Sequence, residues 1–312
     1  MNSLAVNRLR LLSAFLLGLA TLGATTPVQA RPTAVSAAAI QYESDWLVLP
    51  RAALELIASG ALVLDARGKD VKDKLGLVPN ALPVTWQELS QPDLPTKGRL
   101  IADDAQVSAK LQSWGVSKNQ AIVVLGDPAK GWGEDGRVAW ALRTLGHGKV
   151  VIVDGGLPAL EHLGKLVIQP PKIPGDFVVA RTSRFEIRKE ELKDRIGKAS
   201  TVIFDVREPR EYEGKTPYGE SRGGHVPGAK GLWFKDLIGK DGNLLPRPEI
   251  EKLLASKGVT KDSEVVSYCT AGIRSGWFTL VLTDLGYKAK NYTGSMWEWA
   301  ASPADQYPLT KD

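Results

Sequence analysis

The sequence has little cysteine and little histidine: one cysteine and three histidines among 312 residues. A single thiol excludes any disulfide within the chain. The histidines and the cysteine are scattered and lack the spacing of metal-ligand sets, so we expect no metal site. The one unpaired cysteine, Cys269, therefore needs a reason of its own to be present in the chain.

A strong excess of charge of one sign is missing as well. Lysine and arginine number 40 and aspartate and glutamate 35, which gives a net charge of +5. The basic residues form no block along the chain, so we expect no nucleic-acid partner. The small excess favours only small anions as ligands.

Long apolar runs are confined to the N-terminus. Arg8 and Arg10 precede the apolar segment Leu11–Ala24, and small residues up to Ala30 fit a cleavage site. We predict a signal peptide over residues 1–30 and an exported protein, located in the periplasm, a thylakoid lumen or outside the cell. An uncleaved anchor is the alternative, but the run is short for a bilayer span. We expect no lipoprotein anchor, because no cysteine lies near the cut, and no stable membrane insertion after cleavage.

The two halves of the chain repeat one pattern of strands and helices. Leu62–Arg67 and Val202–Arg207 are short apolar strands, each ending in Asp-x-Arg. Ala121–Asp127 and Glu264–Cys269 form a second matching pair, and each is followed by an amphipathic helical pattern that ends at Leu-Gly. Correspondence in this order indicates that a whole domain was duplicated.

Strands that alternate with helices predict an α/β fold with two tandem domains, each a mostly parallel sheet flanked by helices. We place the first domain at residues 41–168, a proline-rich linker at 169–184 and the second domain at 185–312. Ligands of such sheets bind beyond the carboxyl ends of the strands. Cys269 and Asp127 align at that position in the two repeats, and only the second domain has the cysteine.

The segment around Cys269 has the features of a reactive cysteine rather than of a buried structural one. An apolar strand ends at Cys269, a short loop with a glycine follows, and a helix begins near Ser275. Backbone N–H groups of residues 270–275 can surround the sulfur, and the helix N-terminus adds positive potential. Together with Arg274 they favour the thiolate over the thiol and would also stabilise a persulfide anion.

Several motifs in the right order resemble the rhodanese family. Cys269-Thr-Ala-Gly-Ile-Arg-Ser275 resembles its active-site loop, Cys-x-x-Gly-x-Arg-Ser. Asp205-Val-Arg-Glu-Pro-Arg-Glu-Tyr212 and Gly224-His-Val-Pro-Gly-Ala229 are similar to two further rhodanese motifs. In the first half, Gly131–Arg137 and Leu145–Gly156 resemble the non-catalytic domain of tandem sulfurtransferases.

The resemblance implies two tandem rhodanese-like domains and a ping-pong sulfurtransferase of the thiosulfate or 3-mercaptopyruvate type. Cys269 would take a sulfane sulfur from the anionic donor as a persulfide and pass it to cyanide or a thiol, without a metal or organic cofactor. The residues implied to bind the substrate and the persulfide are Thr270, Ala271, Gly272, Ile273, Arg274 and Ser275, and the supporting residues are Asp205, Arg207 and Glu211.

Other roles for these residues stay open at this point. Cys269 could hold a persulfide for a partner without turnover, as a sulfur carrier, or the domains could serve docking. Arg274 could pair with an acidic residue of the segment 205–211 and hold the loop's shape, and Asp205 and Arg207 could be buried scaffold ions. A cysteine phosphatase fits poorly, because four residues between the cysteine and the arginine make a loop too short to wrap phosphate.

The residues near the cysteine do not select one sulfur donor. Tandem thiosulfate enzymes carry a basic pair after the cysteine, where this chain has Thr270 and Ala271. Mercaptopyruvate enzymes usually read Cys-Gly-Ser-Gly-Val there, and their substrate-binding arginine would fall at Glu211, one residue from Arg210. Three tryptophans of the second half are candidates for the pocket walls: Trp277, Trp297 and Trp299.

Overall fold

A computed structural model describes residues 46–311, and the predicted signal peptide lies outside them. The described residues form two parallel sheets with helices around them, which confirms the α/β fold with two tandem domains. No helix between residues 46 and 311 is long and apolar enough to cross a membrane.

The first sheet consists of five short strands. They are β1 (Leu47–Val48), β2 (Leu62–Asp65), β3 (Leu82–Pro83), β4 (Ile122–Leu125) and β5 (Val150–Val153). Their order is β1-β5-β4-β2-β3, and every pair is parallel. All residues of β2, β4 and β5 are buried, as expected for a parallel sheet with both faces covered.

The second sheet repeats this arrangement with four strands. They are β6 (Thr201–Asp205), β7 (Lys230–Gly231), β8 (Glu264–Tyr268) and β9 (Lys288–Asn291). Their order is β7-β6-β8-β9, again parallel throughout. Strand β8 pairs on both sides, so the residue that follows it emerges at the middle of the sheet's carboxyl edge.

Ten α-helices and two short 3-10 helices, at Trp86–Leu89 and Phe234–Leu237, lie within the described part of the chain. In the first domain the α-helices are α1 (Pro50–Ala58), α2 (Lys69–Leu75), α3 (Asp104–Ser113), α4 (Glu134–Thr144) and α5 (Gly156–His162). In the second they are α6 (Lys189–Lys193), α7 (Pro209–Tyr212), α8 (Arg247–Ser256), α9 (Ile273–Asp284) and α10 (Ser295–Ala301).

Helices α4 and α9 join the two domains by packing directly on each other. A Cβ added to Gly136 would lie 2.5 Å from Cα of Trp277, and one added to Gly276 would lie 3.2 Å from Cα of Arg137. Both helices end just before a Leu-Gly pair, as the sequence predicted. The amphipathic pattern expected for them is wrong, because α9 is buried along its whole length after Ile273. A helix with a sheet on one side and a helix on the other has no solvent face.

The predicted linker, residues 169–184, contains no helix and no strand. It lies along the first domain, because the Phe177 N–H donates to the Val116 carbonyl at 3.1 Å and the Ala180 N–H to the Leu145 carbonyl at 2.9 Å. Phe177 is buried in the core of the molecule. The linker is therefore packed onto the first domain.

Candidate active site

Cys269 lies directly after β8, and a tight turn leads from it into α9. Gly272 caps that helix with φ of 76°, a left-handed conformation that favours glycine. A Cβ on Gly272 would also lie 2.8 Å from the backbone of Thr293. The glycine of the predicted loop is therefore required both by its backbone angle and by the loop behind it.

The thiol of Cys269 is buried, with 1% of the residue exposed, and it faces hydrogen-bond donors. The Ser275 hydroxyl donates to Sγ at 3.5 Å. Burial alone would raise the pKa of the thiol, but the positive charge of Arg274 and hydrogen bonds from Ser275 and the Ala271 N–H outweigh it. The net pKa of Cys269 is lowered, so the thiolate is favoured as the sequence predicted.

Ser295 holds the backbone of the cysteine, and the sequence analysis did not identify it. Its hydroxyl accepts from the Cys269 N–H at 3.1 Å and donates to the Tyr292 carbonyl at 2.7 Å. Ser295 has φ of 51°, which is uncommon for a residue with a side chain. The position equivalent to it in the first domain is Gly156, with φ of 62°. The sequence signal that could have identified Ser295 was the repeat itself, in which the Gly155-Gly156 turn corresponds to the Gly294-Ser295 turn.

Arg274 makes the ion pair that the structural alternative expected. Its Nη1 and Nη2 donate to the two Glu211 oxygens at 2.5 Å and 2.9 Å, and Nη2 also donates to the Thr270 hydroxyl at 2.7 Å. Burial would raise the pKa of Glu211, but Arg274 and Thr270 hold it below its ordinary value. Thr270 contacts Glu220 as well, at 3.3 Å. The side chains of Arg274, Thr270 and Glu211 thus form one buried network beside the sulfur.

Asp205 and Arg207 form a buried ion pair that supports a loop. Nη2 of Arg207 donates to Oδ2 of Asp205 at 2.6 Å and to the Gly224 carbonyl at 2.8 Å. Asp65 and Arg67 form the same pair in the first domain, at 2.7 Å. Since that domain has no cysteine, the pair serves the fold of each repeat, which favours the scaffold interpretation.

An aromatic cleft of about 170 Å³ opens over the cysteine. Trp132 of the first domain, Tyr218 and Trp297 line it together with Cys269 and the loop residues Thr270, Ala271, Ile273 and Arg274. The Arg274 guanidinium lies 5.4 Å from the centre of the Trp132 ring and 5.7 Å from that of Tyr218. Trp297 is thus a cleft wall as the sequence suggested.

The other two candidate tryptophans lie elsewhere. Trp277 packs against Gly133 and Gly136 of the first domain, and Trp299 is fully buried in the core of the second. The sequence analysis missed Trp132 and Tyr218, because one comes from the other domain and the other from an inserted loop. A Trp between two glycines, Gly131 and Gly133, was the one local signal.

Asp127 is not the structural equivalent of Cys269, so that part of the repeat alignment is wrong. The pairing of β4 with β2 and of β8 with β6 makes Leu125 equivalent to Tyr268. The next residues, Gly126 and Cys269, therefore share one position. The loop after Gly126 is longer than the loop after Cys269, which is why the sequences align one residue out of register.

A carboxylate occupies the space where a thiol would lie in the first domain. A Cβ added to Gly126 would lie 2.3 Å from Oδ2 of Asp135. Burial raises the pKa of Asp135 to about 7. The first domain thus has neither the nucleophile nor the space for one.

Comparison with known proteins agrees with this geometry. A family model described as "Rhodanese-like domain" matches residues 49–162 and 188–302. The chain is 33% identical over 235 residues to a thiosulfate sulfurtransferase of Pseudomonas aeruginosa, covering 73% of this chain and 84% of that one. It is 30% identical over 243 residues to the sulfur carrier protein TtuD of Thermus thermophilus, covering 72% and 82%.

Among solved structures, SseA from Escherichia coli, a 3-mercaptopyruvate sulfotransferase with the rhodanese fold, superposes with a TM-score of 0.66. The superposition covers 81% of this chain and 99% of SseA, at 22% identity. At that identity the likeness establishes the fold.

Proposed function

This chain belongs to the rhodanese family of sulfurtransferases, and from that premise we propose that Cys269 is the nucleophile that carries the sulfane sulfur. The observation that supports this most is the buried thiol with a lowered pKa, placed at the carboxyl edge of the second sheet beneath an open cleft. It is also the only cysteine of the chain.

In the first half-reaction the Cys269 thiolate attacks the sulfane sulfur of the donor. With thiosulfate, the S–S bond of the donor breaks and sulfite leaves with the electron pair, so that Cys269 becomes a persulfide anion. With 3-mercaptopyruvate, the thiolate attacks the thiol sulfur of the donor, the C–S bond breaks, and the carbon takes the proton of that thiol to give pyruvate. The Ser275 hydroxyl and the loop N–H groups lie where the negative charge gathers and stabilise it.

In the second half-reaction the acceptor attacks the outer sulfur of the persulfide. Cyanide gives thiocyanate and a thiol gives a new persulfide, and the Cys269 thiolate leaves with the electron pair of the S–S bond. Splitting the transfer into two steps needs one nucleophile and no redox partner. The aromatic rings of Trp132, Tyr218 and Trp297 line the cleft in which the persulfide meets the acceptor.

We propose a small anion as the donor, with thiosulfate and 3-mercaptopyruvate both as candidates. Arg274, the one charged residue of the cleft lining, is largely balanced by Glu211. The donor's charge would therefore be met chiefly by backbone N–H groups of the loop, which bind either anion. Mass spectrometry of the intact protein after incubation with each donor separately tests this, and the donor that loads sulfur faster is the better substrate.

A sulfur carrier is the second candidate, and the similarity to the Thermus thermophilus sulfur carrier favours it. Thiocyanate formation from thiosulfate and cyanide, followed over time, separates the two functions. An enzyme gives many turnovers per protein molecule with the small acceptor. A carrier loads one sulfur and releases it at a useful rate only to its protein partner, which would contradict the enzyme assignment.

We propose further that the protein is exported to the periplasm after removal of residues 1–30. The basic start, the apolar run and the small residues before Arg31 support this. N-terminal sequencing of the protein from the periplasmic fraction of a bacterial host should begin at Arg31. A cytoplasmic protein that retains residues 1–30 would contradict it.

A further inference from the structure

One buried arginine at the domain interface has no carboxylate partner. Arg137 of α4 is only 1% exposed. Its Nη2 donates to the Gly98 carbonyl at 2.7 Å and to the Ser90 hydroxyl at 3.1 Å. Its Nε and Nη1 are buried and have no hydrogen-bond partner among residues 46–311. A buried positive charge left in this state is strongly destabilising unless a negative charge lies near it.

The other buried arginines show what Arg137 lacks. Arg67 pairs with Asp65, Arg207 with Asp205 and Arg274 with Glu211, each with a nitrogen–oxygen distance of at most 2.7 Å. In the described part of the chain no carboxylate lies within 4 Å of the Arg137 guanidinium. Its charge therefore acts on its surroundings without the cancellation that Glu211 imposes on Arg274.

Arg137 packs against the first turn of α9, next to the cysteine's loop. Gly276 follows Ser275 in that turn, and a Cβ added to Gly276 would lie 3.2 Å from Cα and 3.4 Å from Cδ of Arg137. Gly98, which accepts from Arg137, packs on the loop itself, since its Cβ would lie 2.8 Å from the Ala271 carbonyl. Arg137 thus lies behind the loop, in the sense that it packs next to the loop and is not among the residues that line the cleft.

Two negative charges act on Arg137 over a longer range, those of Glu186 and of the Cys269 thiolate. Burial lowers the pKa of Arg137 to about 10, and these two charges raise it. Arg137 is therefore still protonated at neutral pH. Glu186 is half-buried and accepts from the Thr293 hydroxyl at 3.0 Å, so part of its charge is already engaged.

We propose that Arg137 is a positioning residue that stabilises the thiolate and the persulfide of Cys269 from behind the loop, as a second positive charge in addition to that of Arg274. This rests on the proposed role of Cys269. It gives the first domain, which has no cysteine, a direct part in the reaction of the second. The close approaches of Gly136 to Trp277 and of Gly276 to Arg137 then serve to bring Arg137 up to the loop.

The test is the pH dependence of Cys269 alkylation by iodoacetamide, with sulfur loading from thiosulfate beside it. Arg137→Gln should raise the alkylation midpoint by about half a pH unit and slow loading at pH 7 up to about threefold. Arg137→Lys, which keeps the charge, should restore most of both. Arg143→Gln is the matched control, because Arg143 lies on the same helix but donates to the Val150 carbonyl and stacks on Trp46.

A folded Arg137→Gln protein with the wild-type midpoint and loading rate would overturn the inference. A midpoint that rises as much in Glu186→Gln and Arg143→Gln as in Arg137→Gln would also overturn it, since the rise would then not depend on the charge of Arg137. If wild type itself shows the midpoint of an ordinary thiol and loads no sulfur, the proposed function has failed instead. The wild-type curve therefore separates the two failures.

Wild-type protein gives a second readout if Arg137→Gln does not fold. The Nε–H resonance of Arg137 in ¹⁵N-labelled protein should shift with the ionisation of Cys269 and again on persulfide formation. In Cys269→Ser that titration should disappear. A resonance that stays fixed through both changes in wild type would show that Arg137 does not sense the sulfur.

Discussion

Arg274 donates from Nη1 and Nη2 to the two carboxylate oxygens of Glu211, over 2.5 Å and 2.9 Å, in the interior beside Cys269. The pair joins the start of α9 to α7. Both charges are buried, so each depends on the other for its stability in the folded protein. The Arg274 N–H groups that could have bound a donor anion are therefore largely hydrogen-bonded to Glu211.

Glu211→Gln should therefore destabilise the protein strongly. The free energy of unfolding should fall by about 3–5 kcal/mol, because Arg274 is left buried without a counter-charge. Glu208→Gln is the control, and it should change stability far less, because its partner Arg210 is exposed. Urea unfolding of both variants checks this. Equal losses of unfolding free energy in the two variants would contradict a specific contribution of the Arg274–Glu211 pair to stability.

The same pair predicts a loss of stability in acid. The native pKa of Glu211 lies below its unfolded value of about 4.3. The contribution of the pair is then fully present above pH of about 4.3 and is lost as pH falls through the native pKa. In Glu211→Gln the fall in unfolding free energy over that range should be smaller than in wild type. Parallel pH profiles of wild type and Glu211→Gln would contradict this.

Sulfur loading should rise with pH and level off below the pKa of an ordinary thiol, about 8.5. The reason is that the lowered pKa of Cys269 provides the thiolate at lower pH. The measurement is single-turnover loading from thiosulfate between pH 5 and 10, roughly. Ser275→Ala should move the midpoint upward, because one donor to the sulfur is lost. A midpoint at the ordinary thiol value in wild type would contradict the lowered pKa.

Gly136→Ala should destabilise the contact between the domains. Its new methyl carbon would lie 2.5 Å from Cα of Trp277, so the helices must move apart, at a cost of about 1–3 kcal/mol. Gly148→Ala is the matched control, because nothing lies within 4 Å of a Cβ there. Thermal unfolding of both variants measures the difference. Equal melting temperatures would show that the close approach is not needed.

Features that depend on nearby sequence were predicted, and features that depend on distant residues were not. The strands ending in Asp-x-Arg, the Leu-Gly helix ends and the turn from Cys269 into α9 are local, and the structure has them. Sequence left the partner of Arg274 open, because Glu211 lies 63 residues away along the chain. Trp132 reaches the cleft from the other domain, which no local pattern reveals.

Two predictions failed for physical reasons that the structure makes clear. Helices α4 and α9 are not amphipathic, since each is covered by the other as well as by its sheet. Asp127 was aligned with Cys269 because the two loops differ in length, while the strand pairing places Gly126 there. A single sequence shows neither which helices pack on each other nor which residues of two strands are paired.

The mass of the intact protein after incubation with thiosulfate or 3-mercaptopyruvate tests most directly whether Cys269 carries the sulfur. Wild type should gain about 32 Da, one sulfur atom, and lose it on addition of cyanide. Cys269→Ser, with wild-type circular dichroism, should gain nothing and form no thiocyanate. A gain of the same mass in folded Cys269→Ser, or thiocyanate formation within about tenfold of the wild-type rate, would contradict the account.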